Sequence, residues 1–150
     1  MNTHITFIGG GNMARSLISG LLKQGFDKDR IHVSEPYAPT RSALASELGL
    51  HVLDDNAQAA GSGDVWVFAV KPQVMKSVCA ALKPLAQQKR PLILSIAAGI
   101  TSGQLDDWLG GGLPVVRIMP NTPALLGAGA NGLFANAQVD SAQKATAEQL

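Results

Sequence analysis

With 150 residues, 46% of them hydrophobic and 15% charged, the chain has the length and composition of one domain with a substantial core, which excludes a disordered polymer. Its formal net charge of +1, with no run of Lys or Arg, excludes a surface built for nucleic acid or acidic lipid and leaves a small molecule as the expected partner. No apolar run approaches the ~20 residues of a membrane helix, no signal peptide is visible, and the single cysteine fits a reducing compartment, so the expected location is cytoplasmic.

Apolar runs of strand length alternate with helical patterns along most of the chain. Ile5-Thr6-Phe7-Ile8 predicts a buried strand, and 13–24 a helix with Met13, Leu17, Ile18, Leu21 and Leu22 on one face. A second strand over 31–34 leads to a helix over 39–48, stopped by Gly49, and to a third strand over 50–53. A short helix over 55–60 precedes the longest apolar run, 64–70, which predicts a central strand. A helix over 74–85 follows, with Cys79 read as a small buried hydrophobe on it, then a strand over 92–96, a short helix over 102–109 and a strand over 115–119. Beyond Pro120 the texture turns to Gly, Ala and Asn; 132–135 reads as one more strand, antiparallel at the sheet edge, and 141–150 as a helix capped by Asp140. No Gly, Asn or Pro closes that helix, so the natural polypeptide is expected to continue, and Ala142, Ala145 and Leu150 are expected to be left uncovered.

Strict alternation with continuously apolar strands predicts an α/β domain with a doubly wound, mainly parallel sheet and helices on both faces. The right-handed crossover rule makes this the Rossmann type, and residues 1–150 read as one dinucleotide-binding domain.

The three glycines between the first strand and first helix have a role in that setting. Gly9-Gly10-Gly11-Asn12-Met13-Ala14 fits G-x-G-x-x-A, in which the first Gly makes the tight turn, the second lets a pyrophosphate reach the backbone, and Ala14 lets helix and strand pack closely. The helix N-terminus behind them offers N–H groups and a positive dipole end to phosphate. About 20 positions on, where such sites read the adenosine ribose, stand Ser34 and Glu35. A carboxylate at Glu35 would accept from a 2′-hydroxyl and repel a 2′-phosphate, favouring NAD over NADP; the competing reading is an exposed turn glutamate before Pro36. Lys71, at the end of the central strand, is either an electrostatic contributor to the site or a solvated lysine. Ala97-Ala98-Gly99 and Met119-Pro120-Asn121-Thr122-Pro123 end the next two strands on the same side. His4, His32 and His51 read as scattered surface or internally satisfied residues, and no nucleophilic triad, metal-spaced set or paired carboxylates can be assigned.

Taken together, FIGGGNMA, AVKPQ, SIAAGI and RIMPNTPALLGAG resemble the N-terminal domain of pyrroline-5-carboxylate reductases over essentially the whole chain. The fold so implied is that of the 6-phosphogluconate-dehydrogenase-like group, and the activity is reduction of 1-pyrroline-5-carboxylate to L-proline with NADP(H), or with NAD(H). Carried over by motif, cofactor contacts fall on Ile8, Gly9, Gly10, Gly11, Asn12 and Met13 for the pyrophosphate. Ser34, Pro36 and Asn56, with Glu35 beside them, serve the adenosine end. Ala69, Val70, Lys71 and Pro72, together with Ala97, Ala98 and Gly99, lie toward the nicotinamide. Asn121, Thr122 and Pro123 resemble the loop bordering the reacting centre. The resemblance also implies a further all-helical domain, absent from these 150 residues, that forms a homo-oligomer and holds the substrate; no catalytic acid is assigned, and Lys71 is the one weak candidate. Two alternatives stay open: another small-substrate reductase of the same fold, and a catalytically silent NAD(P)-sensing module.

Overall fold

The computed structural model describes residues 3–96, 99–119 and 132–148. Its strands are β1 (Ile5–Ile8), β2 (Ile31–Ser34), β3 (Val52–Leu53), β4 (Val65–Phe68), β5 (Leu92–Ser95), β6 (Val115–Met119) and β7 (Gly132–Ala135). Between and after them run α1 (Asn12–Lys23), α2 (Ala38–Leu48), α3 (Asn56–Ala60), α4 (Pro72–Lys89), α5 (Ser102–Trp108) and α6 (Ser141–Glu148). The sheet order is β3-β2-β1-β4-β5-β6-β7. All neighbours are parallel except β6 and β7, which pair antiparallel, as the sequence predicts for 132–135. The direction in which successive strands are added reverses between β1 and β4, and this order is the Rossmann arrangement with one added edge strand.

The two-residue period of the strands sorts their side chains into two cores. Ile5 and Phe7, Val65 and Val67, and Leu92 and Leu94 face one layer, where they meet Ala14, Ile18 and Leu21 of α1 and Leu44 of α2. Ile8, Trp66, Phe68 and Ile93 face the other, against Met75, Cys79, Leu82 and Ala86 of α4 and Leu105 of α5. Because helices cover both faces, the strands can be apolar throughout, which is why they read as continuous runs. Two polar groups enclosed in this packing are paired with backbone: Trp66 Nε1 donates to Ala60 O (3.0 Å) and Thr6 Oγ1 to Ala59 O (2.8 Å). Burial pushes the Cys79 thiol up to about 12, so it stays a neutral packing group.

Several expectations are corrected. Met13 is 43% exposed rather than part of the buried face of α1, because the first turn projects past the end of β1 and the helix packs through Ala14, Ile18 and Leu21. The fourth helix begins two residues earlier than predicted, with Pro72 at its start, and continues four residues beyond 85, with Pro84 inside it as the predicted range has it. The third strand shrinks to Val52–Leu53, and a 3₁₀ turn, Lys28–Arg30, capped by Asp27, precedes β2. Ala147 of α6 is buried in the first core while Ala142 is exposed; Ala145 is placed but its side chain, like Leu150, lies outside what is described. Finally, His4 and His32 are not scattered: their rings stack 5.2 Å apart with Nδ1 and Nε2 at 2.9 Å.

Candidate functional site

The ends of β1, β2 and β4 are stitched together at the glycine turn. Gly9 N–H donates to Ser34 O (2.9 Å), and Ala69 N–H donates to Ile8 O (2.8 Å). Gly9 has a φ of +101°, and a Cβ there would lie 2.9 Å from Ala69 O, so both conformation and space require glycine. Gly11 is different in kind. It is the exposed N-cap of α1 with an ordinary φ of −75°, and a Cβ on it would meet nothing within 4 Å. Glycine at this position therefore keeps open a space that no protein atom fills.

The helix N-termini are of two kinds. Asp55 caps α3, Thr101 and Gln104 form a capping box on α5, and Asp140 and Gln143 do the same for α6. By contrast α1, α2 and α4, whose caps are Gly11, Tyr37 and Lys71, have no side-chain cap and no acidic residue in the first turn. The caps of α1 and α4, Gly11 and Lys71, line one cleft together with Pro36 just ahead of α2, an arrangement suited to an anionic ligand.

That cleft, about 280 Å³, is lined by Gly9, Gly11, Glu35, Pro36, Ala69, Val70, Lys71 and Val74. The exposed large hydrophobics among the described residues, Met13, Tyr37 and Val74, belong to the first turns or the cap of the same three helices. Glu35 is oriented by the loop it faces: Gly10 N–H donates to Oε1 (2.9 Å) and Tyr37 N–H to Oε2 (3.0 Å). Buried Ser34 Oγ donates to Asn56 Oδ1 (2.6 Å), which joins the end of β2 to the start of α3. A larger hollow of about 350 Å³, lined by Lys28, Asp29, Ile31, His32, Gly49, Leu50 and His51, lies by the N-terminal end of β2. Parallel sheets bind ligands at the carboxyl ends of their strands, so the smaller cleft is the candidate site.

The structure brings together most of the residues singled out from the sequence. Gly9, Gly11, Glu35, Pro36, Ala69, Val70 and Lys71 meet at the cleft, with Asn12, Met13, Ser34, Asn56 and Pro72 adjoining it in the elements just described, while Gly10 faces Leu44 and gives its N–H to Glu35. Ile8 instead points into the second core, and its carbonyl is occupied by Ala69 N–H. Lys71 is exposed, and its ammonium has no ionic partner among the described residues. Gly99 is placed as an exposed turn residue with φ +80°, whereas Ala97, Ala98, Asn121, Thr122 and Pro123 lie outside the described residues. Sequence reasoning missed Tyr37, Val74 and Arg41; an aromatic and two helix-surface residues carry no motif, and only the placement of α2 and α4 reveals them.

A family model described as NADP oxidoreductase, coenzyme F420-dependent, matches residues 4–99. The chain belongs to that family. Within it, the likeness is to pyrroline-5-carboxylate reductases, as the sequence motifs imply. The enzyme of that name from Pseudomonas aeruginosa is 54% identical over 146 residues, covering 97% of this chain and 53% of the relative. A solved pyrroline-5-carboxylate reductase from Coxiella burnetii superposes with a TM-score of 0.90 at 42% identity, over 98% of this chain and 54% of that one. The Plasmodium falciparum pyrroline carboxylate reductase, solved with NADP bound, gives 0.79 at 28% identity, over 97% of this chain and 53% of that one. This member of the oxidoreductase family thus spans about half the length of the relatives it matches. Among its described residues no helix is long and apolar enough to cross a membrane.

Proposed function

We propose that these 150 residues are the cofactor-binding domain of a cytoplasmic pyrroline-5-carboxylate reductase whose remaining part holds the substrate and forms a homo-oligomer. The observation that carries the reading is the open face of Gly11 at the uncapped start of α1, beside a Gly9 turn that tolerates no side chain. A pyrophosphate fits that space, with the N–H groups of the first turn, at Asn12 and Met13, as donors. Ser34, Glu35, Pro36 and Asn56 serve the adenosine end, and residues 69–72 and 97–99 the nicotinamide end. The family's description and the NADP-bound relative support NADP(H) as the cofactor, with NAD(H) as a second substrate of the same site.

A dinucleotide held there would supply the hydride for the imine carbon of 1-pyrroline-5-carboxylate, which with a proton added at nitrogen gives L-proline and NAD(P)+. What this chain contributes is position: a rigid turn for the phosphates, and strand ends that fix the ring. Residues 121–123 border the reacting centre in this reading, and Lys71 contributes positive charge at the mouth of the cleft. Titration of the chain with NADPH and NADH, followed by fluorescence, tests the first half of the proposal and should give saturable binding. Turnover of 1-pyrroline-5-carboxylate by the chain alone should be at least about 10²-fold below that of the Pseudomonas aeruginosa relative, because misplacing one reactant forfeits at least that factor. Absence of binding would overturn the cofactor site, and comparable turnover would overturn the division of labour.

A further inference from the structure

Behind the turn that follows β2, whose Glu35 and Pro36 line the cleft, α2 carries a cation that no motif marks. Arg41, half-buried on α2, donates from Nη1 to the carbonyl oxygens of both Glu35 and Pro36, at 2.9 Å each. Both hydrogens of that nitrogen are thereby used on the turn that follows β2. Three N–H donors, on Nη2 and Nε, have no partner among the described residues. No carboxylate neutralises the guanidinium either. Glu35 directs its two oxygens to the N–H groups of Gly10 and Tyr37, and Glu47, further along α2, pairs with Arg15 at 2.8 Å. The turn thus holds two opposite charges in different states: a carboxylate oriented toward the glycine loop, and a guanidinium fixed by carbonyls with one edge unused.

We propose that Arg41 is the residue by which this site selects NADP(H), its unused edge binding the 2′-phosphate of the adenosine ribose. The inference rests on the cleft being a dinucleotide site. A guanidinium presents a planar fork that matches a phosphate, and its pinning to two carbonyls places it beside the ribose position without the entropy cost a free surface arginine would carry. Glu35 keeps the loop in shape for either cofactor and accepts the 2′-hydroxyl of NAD(H), so the site takes both cofactors and Arg41 sets their ratio. The apolar ring of Tyr37, 64% exposed at the start of the same helix, offers the adenine a surface on the outer side of this turn.

The test compares two pairs of probes that differ by the 2′-phosphate: NADP+ against NAD+, and 2′,5′-ADP against 5′-AMP. Arg41→Gln should weaken NADP+ and 2′,5′-ADP by about 10- to 100-fold more than it weakens NAD+ and 5′-AMP, the range for one lost charge-assisted contact. Arg41→Lys, which keeps the charge without the fork, should retain part of the preference, and it also serves if the glutamine variant fails to fold. Equal loss for all four probes would mean that Arg41 only shapes the turn, and unchanged NADP+ binding would place the phosphate elsewhere; either overturns the inference while the dinucleotide reading stands. Failure of the unaltered chain to bind any of the four would overturn both.

Discussion

Gly9 and Gly11 sit two residues apart and are glycine for opposite reasons, which makes them separable by mutation. Gly9→Ala forces a side chain into a left-handed backbone against Ala69 O, and should cost at least about 2 kcal/mol in a denaturant titration, with cofactor affinity falling as the turn distorts. Gly11→Val has room and an ordinary φ, so the fold should lose no more than about 1 kcal/mol while dinucleotide binding is abolished. Full-strength binding by the valine variant would show that the phosphates lie away from this face. Glu35 gives a second contrast. A glutamine there has one acceptor oxygen where the structure uses two, so either Gly10 or Tyr37 N–H loses its partner, and stability should fall by about 1 kcal/mol at this partly exposed site. A neutral effect would mean that the carboxylate does not brace the loop. The glycines were legible because their spacing encodes a local backbone requirement. The position of Glu35 was legible too, but its partners were not: a sequence does not state which way a side chain turns, and for the same reason nothing in the sequence singles out Arg41.

At the scale of elements, the alternation of strands and helices was readable because burial on both faces makes strands such as β4 uniformly apolar and helices such as α1 amphipathic. The ends were less so. The predicted fourth helix starts after Pro72, yet Pro72 opens α4, where a missing N–H costs nothing; the exposed Pro84, already within the predicted range, is held inside the helix by the packing of Leu82 and Ala86 on either side. That second proline breaks a helical hydrogen bond that tertiary packing compensates. Pro84→Ala should therefore stabilise the domain by about 1–2 kcal/mol, less than the full helical penalty because the unfolded chain also gains freedom. A raised midpoint in urea with an unchanged m-value is the expected result; a lowered midpoint would show that the ring itself contributes to packing.

At the scale of the whole molecule, the crossover rule and the switch between β1 and β4 explain why one edge of the sheet gathers the glycine turn, Glu35 and Lys71. Opposite-edge features needed the register itself. Thr6 pairs with His32 across β1 and β2, which sets His32 beside His4, a contact between residues 28 positions apart that no motif announces. In this pair one neutral ring donates and the other accepts, with Asp64 Oδ2 accepting from the backbone N–H of His4 at 3.0 Å. Burial first, and the charge of His4 second, hold the His32 pKa below its ordinary value. Below roughly pH 6.5 the unfolded chain therefore takes up a proton that the native chain resists, so more protons are bound in the unfolded state and stability falls as pH is lowered through that window. The contribution is fully present above that pH and is lost as the solution approaches the depressed native value. Thermal melts between pH 7.5 and pH 5 should show a declining midpoint, and His32→Gln, which keeps a hydrogen-bonding group opposite His4 Nδ1 but does not titrate, should flatten part of that decline. An identical slope in the variant would assign the acid sensitivity to carboxylates instead and leave the histidine pair as packing alone.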